Sequence, residues 1–217
     1  MAHRAAHRSR SQRQTRNLVW IVGAVVVLLA VLIGIFTARD SQAQVSVGDI
    51  ASPVEVDGEP LPTFGGDPVA DPARGTPAPQ VRGVDFDGQP VVVGQPGRPQ
   101  LVSFMASWCP ACQQELPEIV AWLDAGRLPA DVDFVVVSTL LDDSRPNWPP
   151  QPWLDDEGYA GPVIVDDTDS TIAHAFGLSA TPFWVAIDAQ GQVVFRAAGL
   201  LDPEHLDELV TFVQMGL

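Results

Sequence analysis

The feature that most constrains this chain is an apolar run that empties into a pair of cysteines. Leu101-Val-Ser-Phe-Met-Ala106 reads as a buried strand by its length and near-continuous hydrophobicity. Ser107-Trp108-Cys109-Pro110-Ala111-Cys112 follows at once and holds the only two cysteines in the chain. From Gln113 to Ala125 the chain is helix-compatible, with Leu116, Ile119, Val120 and Leu123 on one face. A strand that delivers Cys-x-x-Cys to the mouth of a helix is a redox arrangement. The free N–H groups and positive dipole end of a helix N-terminus stabilise a thiolate, and the thiolate is the nucleophile of disulfide exchange. On this reading Cys109 sits at the cap, partly exposed, and attacks. Cys112 lies one turn in, is more buried, and resolves the mixed disulfide.

Two blander uses of a cysteine pair fit less well. A bridge closing so short a loop is a poor staple, because stabilisation grows with loop length. A zinc site needs two more ligands, yet no other cysteine exists and the nearest histidine, His174, is far along the chain. No metal and no cofactor is expected.

The pattern resembles thioredoxin, and more closely the membrane-anchored thioredoxin-like family of TlpA, ResA and DsbE type. Besides Trp108-Cys109-x-x-Cys112, the resemblance is carried by Glu115, by Pro117 within the helix, and by Thr181-Pro182 ahead of the strand-like Phe183–Ile187. It covers about residues 78–217. It implies a thioredoxin fold, a central mixed β-sheet flanked by helices, with an added N-terminal β-hairpin and one preceding transmembrane helix. It implies a cis Pro182 that leaves an open backbone edge, so that Thr181 pairs with a substrate segment as an added strand. Trp108 is expected to shield the site and to touch substrate. Glu115, three residues after Cys112 and so on nearly the same helix face, is expected to accept or relay that thiol's proton.

The sequence also departs from the family. Thioredoxin carries a buried acid six residues before its first cysteine, where this chain has Ser103. Many relatives have proline directly before the second cysteine; here Ala111 stands there and Pro110 has moved back one place. The dipeptide between the cysteines tunes the potential over a range of roughly −270 to −120 mV. The Pro-x pair leans toward an oxidant and Glu115 toward a reductant, so both directions stay open.

Residues 1–17 form a basic arm. Leu18–Phe36 carries no charge and is long enough to cross a bilayer core, which sets a transmembrane anchor over 18–37. Six arginines lie at or before Arg39, and all 27 acidic residues lie after it beside only six more arginines. That asymmetry places the N-terminus in the cytoplasm and the domain outside, and so acidic a domain repels nucleic acid. The rival processing is a signal peptide cleaved near Ala43. Residues 38–77, rich in Pro, Gly and Asp, read as a tether, and 78–217 as the thioredoxin-like domain.

Within that domain Val81–Phe86 and Pro90–Val93 read as a hairpin, and Asp133–Ser138 and Val163–Val165 as strands. The segment 141–160 carries four prolines and two tryptophans; its first half is expected to be irregular, with a short helix over 153–158. Asp169 or Ser170 is expected to cap a helix that ends at Gly177. Phe183–Ile187 and Gln192–Arg196 form a hairpin, and Asp202 caps a final helix over 203–214. The chemistry expected is thiol–disulfide exchange on secreted-protein or apocytochrome c thiols. The partner is a membrane electron donor or acceptor of DsbD/CcdA or DsbB/VKOR type. A thiol peroxidase of the redoxin kind is the first alternative, although Pro-x-x-x-Thr-x-x-Cys does not precede Cys109. A copper-binding chaperone, with His174 or His205 beside the cysteines, is the second.

Overall fold

The computed structural model describes residues 45–216, together with Val27. The basic arm and, Val27 apart, the apolar run lie outside the described residues. Among the described residues no helix is long and apolar enough to cross a membrane.

The strands fall into two sheets. The larger is mixed and contains β4 (Gln100–Met105), β5 (Asp133–Ser138), β6 (Val163–Val165), β7 (Phe183–Ile187) and β8 (Val193–Ala198), in the order β6-β5-β4-β7-β8. The β4–β5 and β5–β6 pairs are parallel; β7 runs antiparallel to β4 and to β8. The strand that carries the cysteines is therefore central, and all six of its residues are buried. Alternation along it feeds two cores. Leu101 and Met105 join Trp184, Leu116 and Leu209 on one face; Val102 and Phe104 join Val185, Phe176 and Phe64 on the other. This is the thioredoxin-type layering that the resemblance implies.

The first core is covered by α2 (Pro110–Asp124) and α5 (Pro203–Met215). The buried face of α2 is Cys112, Glu115, Leu116, Ile119 and Trp122. Val120 and Leu123, expected on that face, are only half-buried. Trp122 takes the place because its indole reaches α5 and donates to Asp207 Oδ1 at 2.9 Å. Pro117 lies inside α2 and cannot donate to the Gln113 carbonyl. The face of α5 is the expected Leu206, Leu209, Val210 and Val213, under an Asp202 cap that accepts from the Glu204 and His205 N–H groups.

Three local expectations are corrected. The N-terminal hairpin is a three-stranded sheet, because β1 (Glu55–Asp57) adds to β2 (Gln80–Val84) opposite β3 (Pro90–Val93). The helix in the proline-rich segment, α3 (Pro150–Asp156), starts earlier than expected, since prolines fit the first helical turn, where no N–H is needed. Ser170, in left-handed backbone, does not cap α4 (Thr171–Ala175) through its side chain. Asp166 accepts from the Ile172 and Ala173 N–H groups and Asp167 from that of Thr171, so the cap comes from the end of β6.

The stretch read as a tether also has a structure. After α1 (Val47–Ile50), Leu61 N–H donates to Ala175 O and Phe64 N–H to Gly177 O, each at 2.8 Å, and both side chains are buried. Asp71 forms a fully buried, two-point ion pair with Arg196 of β8. The same guanidinium donates to Pro62 O and Phe176 O, each at 2.9 Å. Prolines and glycines hide the apolar rhythm of this segment, and its partners lie more than a hundred residues away.

Candidate active site

The chain leaves β4 at Met105 and turns so that Cys109 N–H donates to Ala106 O at 3.0 Å. Cys109 is the N-cap of α2, with extended backbone (φ −78°, ψ 119°), and Pro110 is the first helical residue. Proline costs nothing there, because that N–H has no intrahelical partner. The Cys109 sulfur takes the place of a capping oxygen: it accepts from Cys112 N–H at 3.4 Å. It also lies 3.4 Å from Thr181 O as donor. Both cysteines are free thiols. Cys109 is 6% exposed and Cys112 not at all. The expected order of burial holds, but Cys109 is more enclosed than a partly exposed cap, because the Thr181–Pro182 segment closes over it.

That enclosure works against ionisation of Cys109. It is outweighed by hydrogen bonds from the Thr181 and Cys112 side chains and from the Cys112 and Ala111 N–H groups, which hold this thiol below its ordinary value. Burial, then the neighbouring Cys109, push Cys112 strongly the other way. One pair thus holds a thiol disposed to ionise and a thiol disposed to keep its proton.

Glu115 lies one turn beyond Cys112 on the buried face of α2. Its Oε1 accepts from Trp184 Nε1–H at 3.1 Å and from Leu201 N–H at 2.6 Å. Oε2 is buried without a partner among the described residues. Burial outweighs the two donors and pushes the carboxyl up to about 7. Ser103, on β4, is register-paired with Trp184, and its Oγ is buried without a partner among the described residues. The buried acid in this core therefore comes from the helix rather than from the strand.

Thr181–Pro182 is a cis peptide, and Pro182 is buried. Trp108 is half-buried, with its indole N–H on Leu140 O at 2.8 Å. The Arg145 guanidinium lies 4.4 Å over its ring. Ser107 O accepts from Gln113 Nε2 at 2.8 Å and from Asn147 Nδ2 at 3.2 Å. Leu140, Arg145 and Asn147 were not singled out from the sequence, although the segment that holds Arg145 and Asn147 was flagged by its prolines and tryptophans. Nothing local marks Trp184 or Leu201 as partners of Glu115.

His205 pairs with Asp202 on the surface, and His174 is exposed on α4. Among the described residues no three His, Cys, Asp or Glu side chains gather to hold a metal ion.

The Redoxin family profile matches residues 73–210. The methylamine utilization protein MauD of Methylophilus methylotrophus is 30% identical over 135 residues, which is 60% of this chain and 58% of that protein. The thiol:disulfide interchange protein DsbE of Pseudomonas aeruginosa is 26% identical over 145 residues, 67% of this chain and 68% of that one. The chain thus spans about three-fifths to two-thirds of the length of these relatives. A solved thiol:disulfide interchange protein of the thioredoxin family, from Chlorobium tepidum TLS, superposes with a TM-score of 0.54 at 26% identity. The match covers 65% of this chain and 97% of that one, and the thioredoxin-like fold is shared.

Proposed function

The chain belongs to the redoxin family, and from that premise we propose that it is a thiol–disulfide oxidoreductase working through Cys109 and Cys112. The observation that carries the reading is the Cys109 sulfur in the capping position of α2, held by the Cys112 N–H over a wholly buried second thiol.

In the reductive direction, the Cys109 thiolate attacks one sulfur of a substrate disulfide. The substrate S–S bond breaks, a Cys109–substrate disulfide forms, and the first substrate thiolate leaves. Cys112 then gives its proton to Glu115 Oε2, the carboxylate oxygen without a donor. The Cys112 sulfur attacks Cys109, and the second substrate thiolate leaves as the Cys109–Cys112 disulfide closes. The oxidative direction is the same sequence reversed, with two electrons passing from substrate to protein. Thr181 offers its backbone as an edge for substrate, and Trp108 covers the approach.

The substrates of this reading are extracytoplasmic protein thiols, apocytochrome c among them. The domain is held outside the membrane by the apolar run 18–37, with the arginine-rich arm in the cytoplasm. A DsbD/CcdA- or DsbB/VKOR-type membrane protein exchanges its electrons. The name of DsbE supports the thiol–disulfide chemistry of this reading by the words thiol:disulfide interchange.

The test is a pair of variants. Cys109→Ser abolishes dithiol–disulfide turnover, and Cys112→Ser accumulates a mixed disulfide with substrate. Turnover that survives Cys109→Ser overturns the assignment. Redox titration against glutathione fixes the direction: a potential well above about −200 mV marks an oxidant of secreted thiols, and one well below it a reductant.

A further inference from the structure

A cleft of about 260 Å³ opens between the first turn of α2 and the proline-rich segment leading into α3. We propose that this cleft is the docking groove for the substrate polypeptide and that it selects chains with Arg or Lys beside the reacting cysteine. The proposal rests on the thiol-exchange reading and adds the substrate class to it.

Three observations converge. The cleft begins at the reactive turn, since Gln113 and Asn147, two of its lining residues, both donate to the Ser107 carbonyl, two residues before Cys109. The Ser107 carbonyl thus ties one end of the cleft to the turn that carries Cys109. The far end of the cleft is walled by Asp156 and Glu157, and neither carboxylate has a cationic partner among the described residues. Its wall also carries Trp148, Pro149, Pro152 and Trp153, apolar surface for the stem of a basic side chain.

The occupant follows from the charges. The domain carries few arginines and no lysine beside its many acids, so a basic segment is attracted and an acidic one repelled. Paired peptide disulfides test this on the reduced full-length protein. One peptide has Arg on both sides of the cysteine; the other has Glu at the same places. 2-Hydroxyethyl disulfide serves as a neutral small disulfide.

At low ionic strength the Arg peptide is expected to react about fivefold faster or more, and the advantage to shrink at about 1 M salt. Asp156→Asn with Glu157→Gln, both changes outside the core, lowers the preference to below about twofold and leaves the rate with 2-hydroxyethyl disulfide unaffected. Asp85→Asn with Asp87→Asn, in the turn between β2 and β3, keeps the preference. Equal rates for the two peptides, or a preference equally reduced by the β2–β3 turn variant, overturn the groove. Failure of the unmodified protein with 2-hydroxyethyl disulfide overturns the thiol-exchange reading itself.

Discussion

Trp184 donates its indole N–H to Oε1 of Glu115 at 3.1 Å, across the core between β7 and α2. A strand residue thereby occupies one oxygen of a helix carboxylate, and Oε2 has no donor among the described residues. Leu201 N–H lands on the same Oε1 at 2.6 Å, so the assignment is made twice.

Trp184→Phe removes one donor to the charged form of Glu115, and a lost donor raises a carboxyl pKa. Resolution of a Cys109 mixed disulfide by Cys112 is expected to show its half-maximal rate near pH 7 in the unmodified protein. In the variant that midpoint moves up by about 0.4–1 unit, the equivalent of one hydrogen bond. Stopped-flow thiol release across pH 5–9 reads it; an unmoved midpoint argues against Glu115 as the acceptor.

Glu115 also sets a pH dependence of stability. Its folded value of about 7 lies above its ordinary 4.5. The folded state therefore favours the protonated form. That advantage is complete below about pH 4.5 and is lost as pH rises through 7. Glu115→Gln keeps an acceptor for Trp184 and Leu201 without a charge. Urea unfolding of the reduced proteins at pH 5 and pH 8 is expected to show the variant gaining about 2–3 kcal/mol relative to the unmodified chain over that interval. The same variant slows mixed-disulfide resolution about a hundredfold.

Cys109 is held below the ordinary thiol range and Cys112 far above it. Alkylation with iodoacetamide at pH 7 is expected to modify one residue, Cys109, identified by peptide mass, while Cys112 reacts only after unfolding. Thr181→Ala removes a side-chain hydrogen bond to the thiolate, and the pH midpoint of alkylation rises.

The Asp71–Arg196 pair is fully buried, and the guanidinium is shared with the Pro62 and Phe176 carbonyls. Removing one partner leaves the other charge buried alone. Asp71→Asn or Arg196→Met is expected to cost about 3–5 kcal/mol in chemical unfolding. The double change Asp71→Asn with Arg196→Met costs less than the sum of the single changes. Additive losses indicate that the two side chains act independently.

Much of this was legible along the chain. The apolar runs of β4, β5 and β7, the cysteine pair at a helix mouth and the Asp202 cap are local signals. Each depends on residues within a few positions of one another. Trp122 escaped the helical-face reading because an indole reaches farther than the period of an apolar stripe, and the N-H it carries found Asp207 on another helix. Strand β1 and the ordered segment through Leu61, Phe64 and Asp71 escaped because their bonds run to β2, α4 and β8.

The sequence by itself determined the chemistry on offer: two thiols, one turn apart, at the start of a helix that a buried strand delivers. Only the tertiary structure decided the surroundings of those thiols. It set Thr181 O against Cys109, Trp184 and Leu201 on Glu115, and Asn147 on the Ser107 carbonyl. The reason is physical. Helix capping and strand burial are set by near neighbours, whereas a pKa or a docking cleft depends on which distant groups the packed core brings to the same place.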